Sequence, residues 1–185
     1  IYETASYEIW VNCRLKGVFH RMIQTIDGLL PDTDYEIMLV RANEASETVT
    51  FHTEPEPITL NVRDFGAFGD GAHDDTSAIQ AAILCCPKNA RVLISKGTYL
   101  VTALFLKSDM ILEIQENAVL AGIYDRARTP ILPGQIEYDN EDGYYNLGSW
   151  EGNPIDSFAS MITGIHVKNV TICGKGVLDG RADFE

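Results

Sequence analysis

The sequence has 185 residues, with 14 Lys plus Arg against 27 Asp plus Glu, a formal charge of −13. That excess of anions argues against a nucleic-acid or anionic membrane partner, since both need clustered cations. Hydrophobic residues at 45% and charged residues at 22% describe a folded globular chain, long enough for one sizeable domain or two small ones.

No apolar run approaches the roughly 20 residues of a membrane-spanning helix. Ile1 to Ala5 has no charged region followed by an apolar one, so no signal peptide is visible. The compartment stays open, cytoplasmic or exported. Cys13, Cys85, Cys86 and Cys173 form no CxxC and no zinc spacing with histidine, and are expected to be buried free thiols. Asn169-Val170-Thr171 matches a glycosylation sequon but lies in a strand-like alternation, where chance explains it better.

Glu54-Pro55-Glu56-Pro57 divides the chain, because two prolines this close block helix and ladder alike. Residues 1–57 carry 4 basic and 10 acidic side chains, and residues 58–185 carry 10 and 17, so the acidity is evenly spread.

The first segment reads as antiparallel β. Tyr7 to Val11, Tyr35 to Val40 and Thr48 to Phe51 are β-rich runs, the last two joined by a polar turn at Asn43 to Ser46. Leu29-Leu30-Pro31-Asp32-Thr33-Asp34-Tyr35, a Leu-x-Pro-x-Thr-x-Tyr pattern, delivers a tyrosine to the start of a strand, where its hydroxyl can turn back to the loop backbone. The pattern resembles the fibronectin type III module over about residues 7–53. Only the later strands of that seven-strand sandwich fit, so the module is read as partial.

The second segment opens with a short strand running into Gly66, Gly69 and Gly71, a Gly-x-x-Gly-x-Gly order that is no nucleotide fingerprint. Asp74 and Asp75 precede Thr76 to Cys86, helical by propensity and by the spacing of Ile79 and Ile83. Paired aspartates can serve acid–base catalysis. Directly ahead of an apolar helix they are read as N-cap carboxylates.

Short apolar strands then recur: 92–94, 99–101, 104–106, 110–114, 118–121, 161–162, 170–173 and 177–178. Met110-Ile111-Leu112-Glu113-Ile114 with Val119-Leu120-Ala121-Gly122 is echoed by Val170-Thr171-Ile172 with Val177-Leu178-Asp179-Gly180. Strands of three to five residues with small residues at their corners suit a solenoid of β-coils, with the helix covering its first end. An ordinary sandwich is the alternative, but it calls for hairpin signals such as Asn-Gly.

Residues 123–159 interrupt the repeat. They hold Tyr124, Tyr138, Tyr144, Tyr145 and Trp150 with Glu137, Asp139, Glu141 and Asp142. Aromatic faces beside carboxylates suit a sugar. The same composition also fits a packed surface loop with a solvated acidic run.

Several of these elements together resemble family 28 of the glycoside hydrolases, the polygalacturonases, over about residues 58–183. They are Asp64-Phe65-Gly66-Ala67 with Gly69-Asp70-Gly71, Asp74-Asp75-Thr76 with its helix, Lys96-Gly97-Thr98-Tyr99, Trp150-Glu151-Gly152, and Gly174-Lys175-Gly176-Val177-Leu178-Asp179-Gly180. The resemblance implies an all-β chain: a partial fibronectin type III-like sandwich over residues 1–57, then, over 58–185, the N-terminal coils of a right-handed parallel β-helix capped by a short α-helix. It implies inverting hydrolysis of α-1,4-galacturonosyl links in pectin by the complete enzyme, with galacturonan as partner and no metal or organic cofactor. The family's Asn-Thr-Asp, mid-helix Asp-Asp and Gly-His-Gly motifs do not occur in the sequence, and Arg-x-Lys does not occur within residues 58–183; Arg14-Leu15-Lys16 lies in the first segment. The chain alone is therefore expected to be inactive, with no catalytic residue of its own. Trp150 and Glu151 are expected at the substrate rim, and Tyr35, Asp74, Asp75, Asp179 and Gly180 in structural roles. The open end of the stack is expected to favour self-association. A non-catalytic carbohydrate-binding or tailspike-like β-helix is the alternative from another functional class.

Overall fold

The computed structural model describes residues 6–21, 23–41, 44–46, 48–123, 125–139, 141 and 143–181. Ile1 to Ala5, Asn43, Tyr124 and Asp142, named above, lie outside the described residues. The chain divides into two compact units, Ile1–Glu56 and Pro57–Glu185.

The first unit is one antiparallel sheet. Its strands are β1 (Tyr7–Val11), β2 (Arg14–Phe19), β3 (Asp34–Arg41), β4 (Glu44–Ala45) and β5 (Val49–His52). The spatial order is β2-β1-β3, with β4 and β5 both on β3. Asn12 and Cys13 take φ of 48° and 60°, the two left-handed residues of a tight hairpin turn. The registers place Ile9, Leu39, Ile37 and Val49 on one face with Tyr35 and Phe51, whose rings stack at 5.8 Å. The Tyr35 hydroxyl accepts from the Leu30 N–H at 2.8 Å, tying the strand start back to its loop.

The second unit contains β6 (Thr59–Asn61), β7 (Asp70–Asp74), α1 (Thr76–Cys85), β8 (Ala90–Ile94), β9 (Gly97–Val101), β10 (Leu104–Phe105), β11 (Met110–Ile114) and β12 (Ala118–Gly122). Within the insertion lie β13 (Ile131–Leu132), β14 (Gln135–Glu137), β15 (Tyr144–Asn146), β16 (Ser149–Trp150), β17 (Asn153–Pro154) and β18 (Ser157–Phe158). The repeat resumes with β19 (Ile162–Thr163), β20 (Val170–Gly174) and β21 (Val177–Asp179).

Three parallel sheets form, ordered β20-β11-β8-β6, β21-β12-β9-β7 and β10-β19. The chain visits the three in succession and returns to the first, which is a parallel β-helix. The sequence copies stack directly: Met110 faces Val170, Leu112 faces Ile172, and Leu120 faces Leu178. Alternate residues turn inward, so Val92, Ile94, Tyr99, Val101, Leu112 and Leu120 are fully enclosed. Helix α1 adds Ile79, Ala82 and Ile83 to the same core.

The corners explain the short strands. Asn89, Asp109 and Asn169 precede β8, β11 and β20 with φ of 58°, 60° and 54°, and Asn117 precedes β12 with φ of 67°. Asn and Asp tolerate this left-handed geometry better than other non-glycine residues. Asn169 also donates its side-chain amide to Asp109 at 2.7 Å, which holds the Asp109 carboxyl below the usual carboxylate range, with Lys88 assisting.

Two expectations change. Asp75 occupies the N-cap position but makes no side-chain bond to the helix. Its carboxylate, 1% exposed, accepts the Phe68 and Gly69 N–H groups at 2.6 and 3.1 Å, closing the glycine-rich loop. Asp74 does the local capping, accepting from the Thr76 N–H at 2.9 Å. The cysteines are all free, but only Cys86 is buried. Cys13 sits in a hairpin turn, and Cys173 shares the outward register of Glu113, so neither position faces a core.

Candidate functional site

The insertion leaves the solenoid after β12 and re-enters it at β19, so it rises beside the small third sheet. It is built from antiparallel pairs: β13 with β18, β14 with β15, and β16 with β17. Gly134 is required there, because a Cβ would stand 2.3 Å from the Ile155 backbone nitrogen. Its own N–H donates to Asp156 at 2.9 Å, which locks the fold-back.

Trp150-Glu151-Gly152 is the tip of the β16–β17 hairpin. Glu151 and Gly152 both have positive φ, 50° and 85°, as a two-residue turn of this hand demands. The turn presents Trp150, 69% exposed, with Glu151 beside it in sequence and also exposed. Glu151-Gly152 thus fills the turn positions that Asn-Gly more commonly occupies.

The β14–β15 hairpin carries Glu137, Tyr138, Tyr144 and Tyr145. Glu137, Tyr138, Asp139 and Gly143 line an open cavity of about 410 Å³. The Tyr138 ring lies flat on His166, centroids 3.8 Å apart and 1° from parallel, and Tyr145 meets the same imidazole edge-on at 4.9 Å. Sequence reasoning did not find His166. It lies 28 residues beyond Tyr138, with no local signal to link them.

The chain returns from the insertion onto its floor, the β10–β19 ladder. Leu104 pairs with Ile162 and Phe105 with Thr163. On its open side the Gln80 side chain of α1 acts as a further strand. Its amide donates to the Phe105 carbonyl at 2.9 Å and its oxygen accepts the Phe105 N–H at 2.8 Å.

The other aspartates are engaged structurally. Two backbone N–H groups, of His73 and Ala72, hold the Asp70 carboxyl far below its ordinary range, so it is no proton donor near neutrality. Asp74 is ion-paired with Arg128, which pins the first turn of the insertion. Asp179 accepts from the Arg181 N–H at 2.8 Å, and Gly180 follows it on the outer corner. The structure thus places Asp74 and Asp75 together at the α1 start, and Trp150 and Glu151 on the β16–β17 hairpin. Among the described residues no His, Cys, Asp and Glu converge in a metal-binding group. What the insertion offers is ring faces and carboxylate acceptors, the groups that stack on sugar rings and accept from their hydroxyls.

The family described as rhamnogalacturonase A/epimerase, pectate lyase-like, matches residues 59–177. The chain is 34% identical over 172 residues to an exo-poly-alpha-D-galacturonosidase of Dickeya chrysanthemi, covering 88% of this chain and 27% of that protein. In structure it is similar to the family 28 exopolygalacturonase of Yersinia enterocolitica, with a TM-score of 0.74 and 30% identity over 96% of this chain and 37% of the other. It is also similar to a hyperthermoactive exopolygalacturonase of Thermotoga maritima, with a TM-score of 0.54 and 28% identity over 69% of this chain and 27% of that one. The chain therefore spans about a quarter to a third of the length of these relatives.

Proposed function

Because the chain belongs to the rhamnogalacturonase A/epimerase, pectate lyase-like family, we propose that it forms the N-terminal part of a polygalacturonase acting on pectin. The observation that carries this reading is the likeness to an exopolygalacturonase along 96% of the chain, insertion included. In the complete enzyme, hydrolysis would invert the anomeric centre: one carboxylic acid protonates the leaving oxygen while a carboxylate activates water on the opposite face. The 185 residues contain none of the motifs that supply those groups, so the chain by itself binds but does not cleave. Trp150 and Glu151 form part of the rim, where the exposed indole stacks on a sugar ring and the carboxylate accepts hydroxyls.

The first unit is read as part of a fibronectin type III-like module. The order β2-β1-β3-β5 and the Tyr35 hydroxyl on the Leu30 N–H support this. Ile172, Val177 and Leu178 stand about half exposed on the last described strands, and the isolated polypeptide self-associates through that edge.

The test is direct. The purified chain should bind oligogalacturonate and release no reducing ends from polygalacturonate, with Trp150→Ala weakening binding on the order of 10-fold, the value of one stacked ring. Release of reducing ends would overturn the inactivity, and unchanged binding by the variant would remove Trp150 from the rim. Reading the coding sequence downstream of Glu185 separates the two functional classes. Asn-Thr-Asp, Asp-Asp, Gly-His-Gly and Arg-x-Lys in that order support the hydrolase; plain coils without them favour a binding protein.

A further inference from the structure

The segment that enters β19 and the segment that leaves it are joined by aromatic rings. Tyr138 and Tyr145 belong to the insertion ahead of β19, and His166 to the loop between β19 and β20. Tyr138 and Tyr145 also meet each other edge-on at 6.2 Å, so the three rings form one cluster. Among the described residues the hairpin that carries the tyrosines has three register pairs, Gln135 with Asn146, Ile136 with Tyr145 and Glu137 with Tyr144, extended by one backbone hydrogen bond at its tip, Tyr138 N–H to the Gly143 carbonyl, and one at its base, Leu147 N–H to the Gly134 carbonyl. A two-stranded ribbon of that size is marginal in water without an outside contact. His166 holds φ of 52°, a conformation that histidine adopts at some cost and that aims its ring at the hairpin.

We propose that His166 is a positioning residue: its stack on Tyr138 clamps the β14–β15 hairpin to the solenoid wall, which fixes the height of the aromatic and acidic rim beside the β10–β19 floor. The parallel Tyr138 and His166 rings, centroids 3.8 Å apart, are in full van der Waals contact, and the edge-on Tyr145 supplies the T-shaped geometry that aromatic quadrupoles favour. The clamp closes a loop of chain around β19, so the insertion cannot swing away from the floor without parting the rings. The role of the clamped rim in sugar binding rests on the function proposed above. The clamp itself does not, and its test uses no sugar.

The experiment is amide hydrogen exchange on the intact 185-residue chain, comparing residues 135–146 with Leu112 in the solenoid core. His166→Ala should raise exchange of the hairpin amides roughly 3- to 10-fold, the worth of an aromatic pair, and leave Leu112 unchanged. His166→Phe should restore protection. Both variants keep a Cβ at the left-handed position, so they differ in the ring and not in the backbone. Tyr138→Ala, outside the solenoid, should reproduce the loss and covers the case in which His166→Ala disturbs its loop. Unchanged hairpin exchange in Tyr138→Ala, or a His166→Phe chain as unprotected as His166→Ala, would overturn the proposal. If the clamp behaves as described while oligogalacturonate fails to bind, the functional reading falls and the clamp stands.

Discussion

The Gln80 side chain tests whether a helix can stand in for a strand. Its amide makes both hydrogen bonds that a neighbouring strand would offer Phe105, at 2.9 and 2.8 Å, and both partners are partly buried. Gln80→Leu keeps the volume and removes both bonds. Leaving a buried donor or acceptor unmade costs about 1–3 kcal/mol, and water reaches part of this edge, so a total near 2 kcal/mol is expected. With a urea dependence of about 2 kcal/mol/M, the unfolding midpoint of the second unit should fall by roughly 1 M at unchanged slope. The assay is NMR-detected urea unfolding, following resonances of Val92, Leu112 and Leu120, with amide exchange at Phe105 read in parallel. Gln80→Glu sharpens the test. A carboxylate still accepts from the Phe105 N–H but cannot donate to its carbonyl, whereas the protonated acid can. Folding therefore favours the acid form of this glutamate, and the variant should lie closer to the native chain at pH 4 than at pH 7. A Gln80→Leu midpoint within about 0.2 M of the native value, with Phe105 exchange unaltered, would refute the reasoning.

Gly176→Ala should destabilise the last described coil, since a Cβ there would stand 2.6 Å from the Gln115 carbonyl and 2.3 Å from an Ile114 methyl; the expected loss is ~1–3 kcal/mol by overpacking, read as faster exchange of β20 and β21 amides. Asp75→Ala should cost about 2–3 kcal/mol, because the Phe68 and Gly69 N–H groups lose a buried charged acceptor; thermal unfolding checks this, and a variant as stable as the parent would show the loop to be held otherwise. Hydrogen bonds to Asp34 and then Asp32 raise the His52 pKa. Its contribution to the first unit is thus fully present below the ordinary histidine pKa and lost as pH rises through the folded value. A histidine titration by NMR should show the raised pKa in the native chain and a lower one in Asp34→Asn, and equal values in both would contradict the assignment.

The solenoid was legible because each coil repeats one short pattern. Met110, Leu112 and Ile114 alternate with outward residues, and Val170 with Ile172 repeats the phase one coil later, so the burial period announced both strand and register. What stayed hidden lacked a local signal. Asp70–Asp74 reads Asp-Gly-Ala-His-Asp, a poor strand by propensity, yet it pairs with β9 through a register shift because the sheet edge supplies its hydrogen bonds. Arg14–Phe19 carries two cations and a glycine, and pairs because the Asn12-Cys13 turn sends it back along β1. Asp75 looked like a helix cap, since the loop that claims its carboxylate folds back seven residues upstream. The His166–Tyr138 stack depends on how two separate loops meet, which no short window of sequence contains.

The charge of the chain bears on how it would meet a polyuronate. At −13 overall, a polyanion is repelled at long range unless local cations intervene. In the second unit many cations serve the fold. Arg63 donates to the Phe68 and Lys96 carbonyls, Arg91 pairs with Glu113, Lys88 with Asp109 and Arg128 with Asp74, and Lys107 donates to the Leu84 carbonyl. The proposed rim residues are Trp150, Glu137, Asp139 and Glu151, an indole that would stack and carboxylates that would accept, with no cation among them. Recognition by this chain should therefore be stacking working against net repulsion. That fixes the sign of its salt dependence. Raising ionic strength from about 0.02 to 0.2 M shortens the screening length from roughly 20 to 7 Å, which weakens the repulsion and leaves ring stacking untouched. Oligogalacturonate affinity, measured by titration calorimetry, should rise across that range, and the ratio between the native chain and Trp150→Ala should stay constant. A steep fall in affinity with salt would mean that cations on the chain carry the binding, and the stacking rim would have to be abandoned.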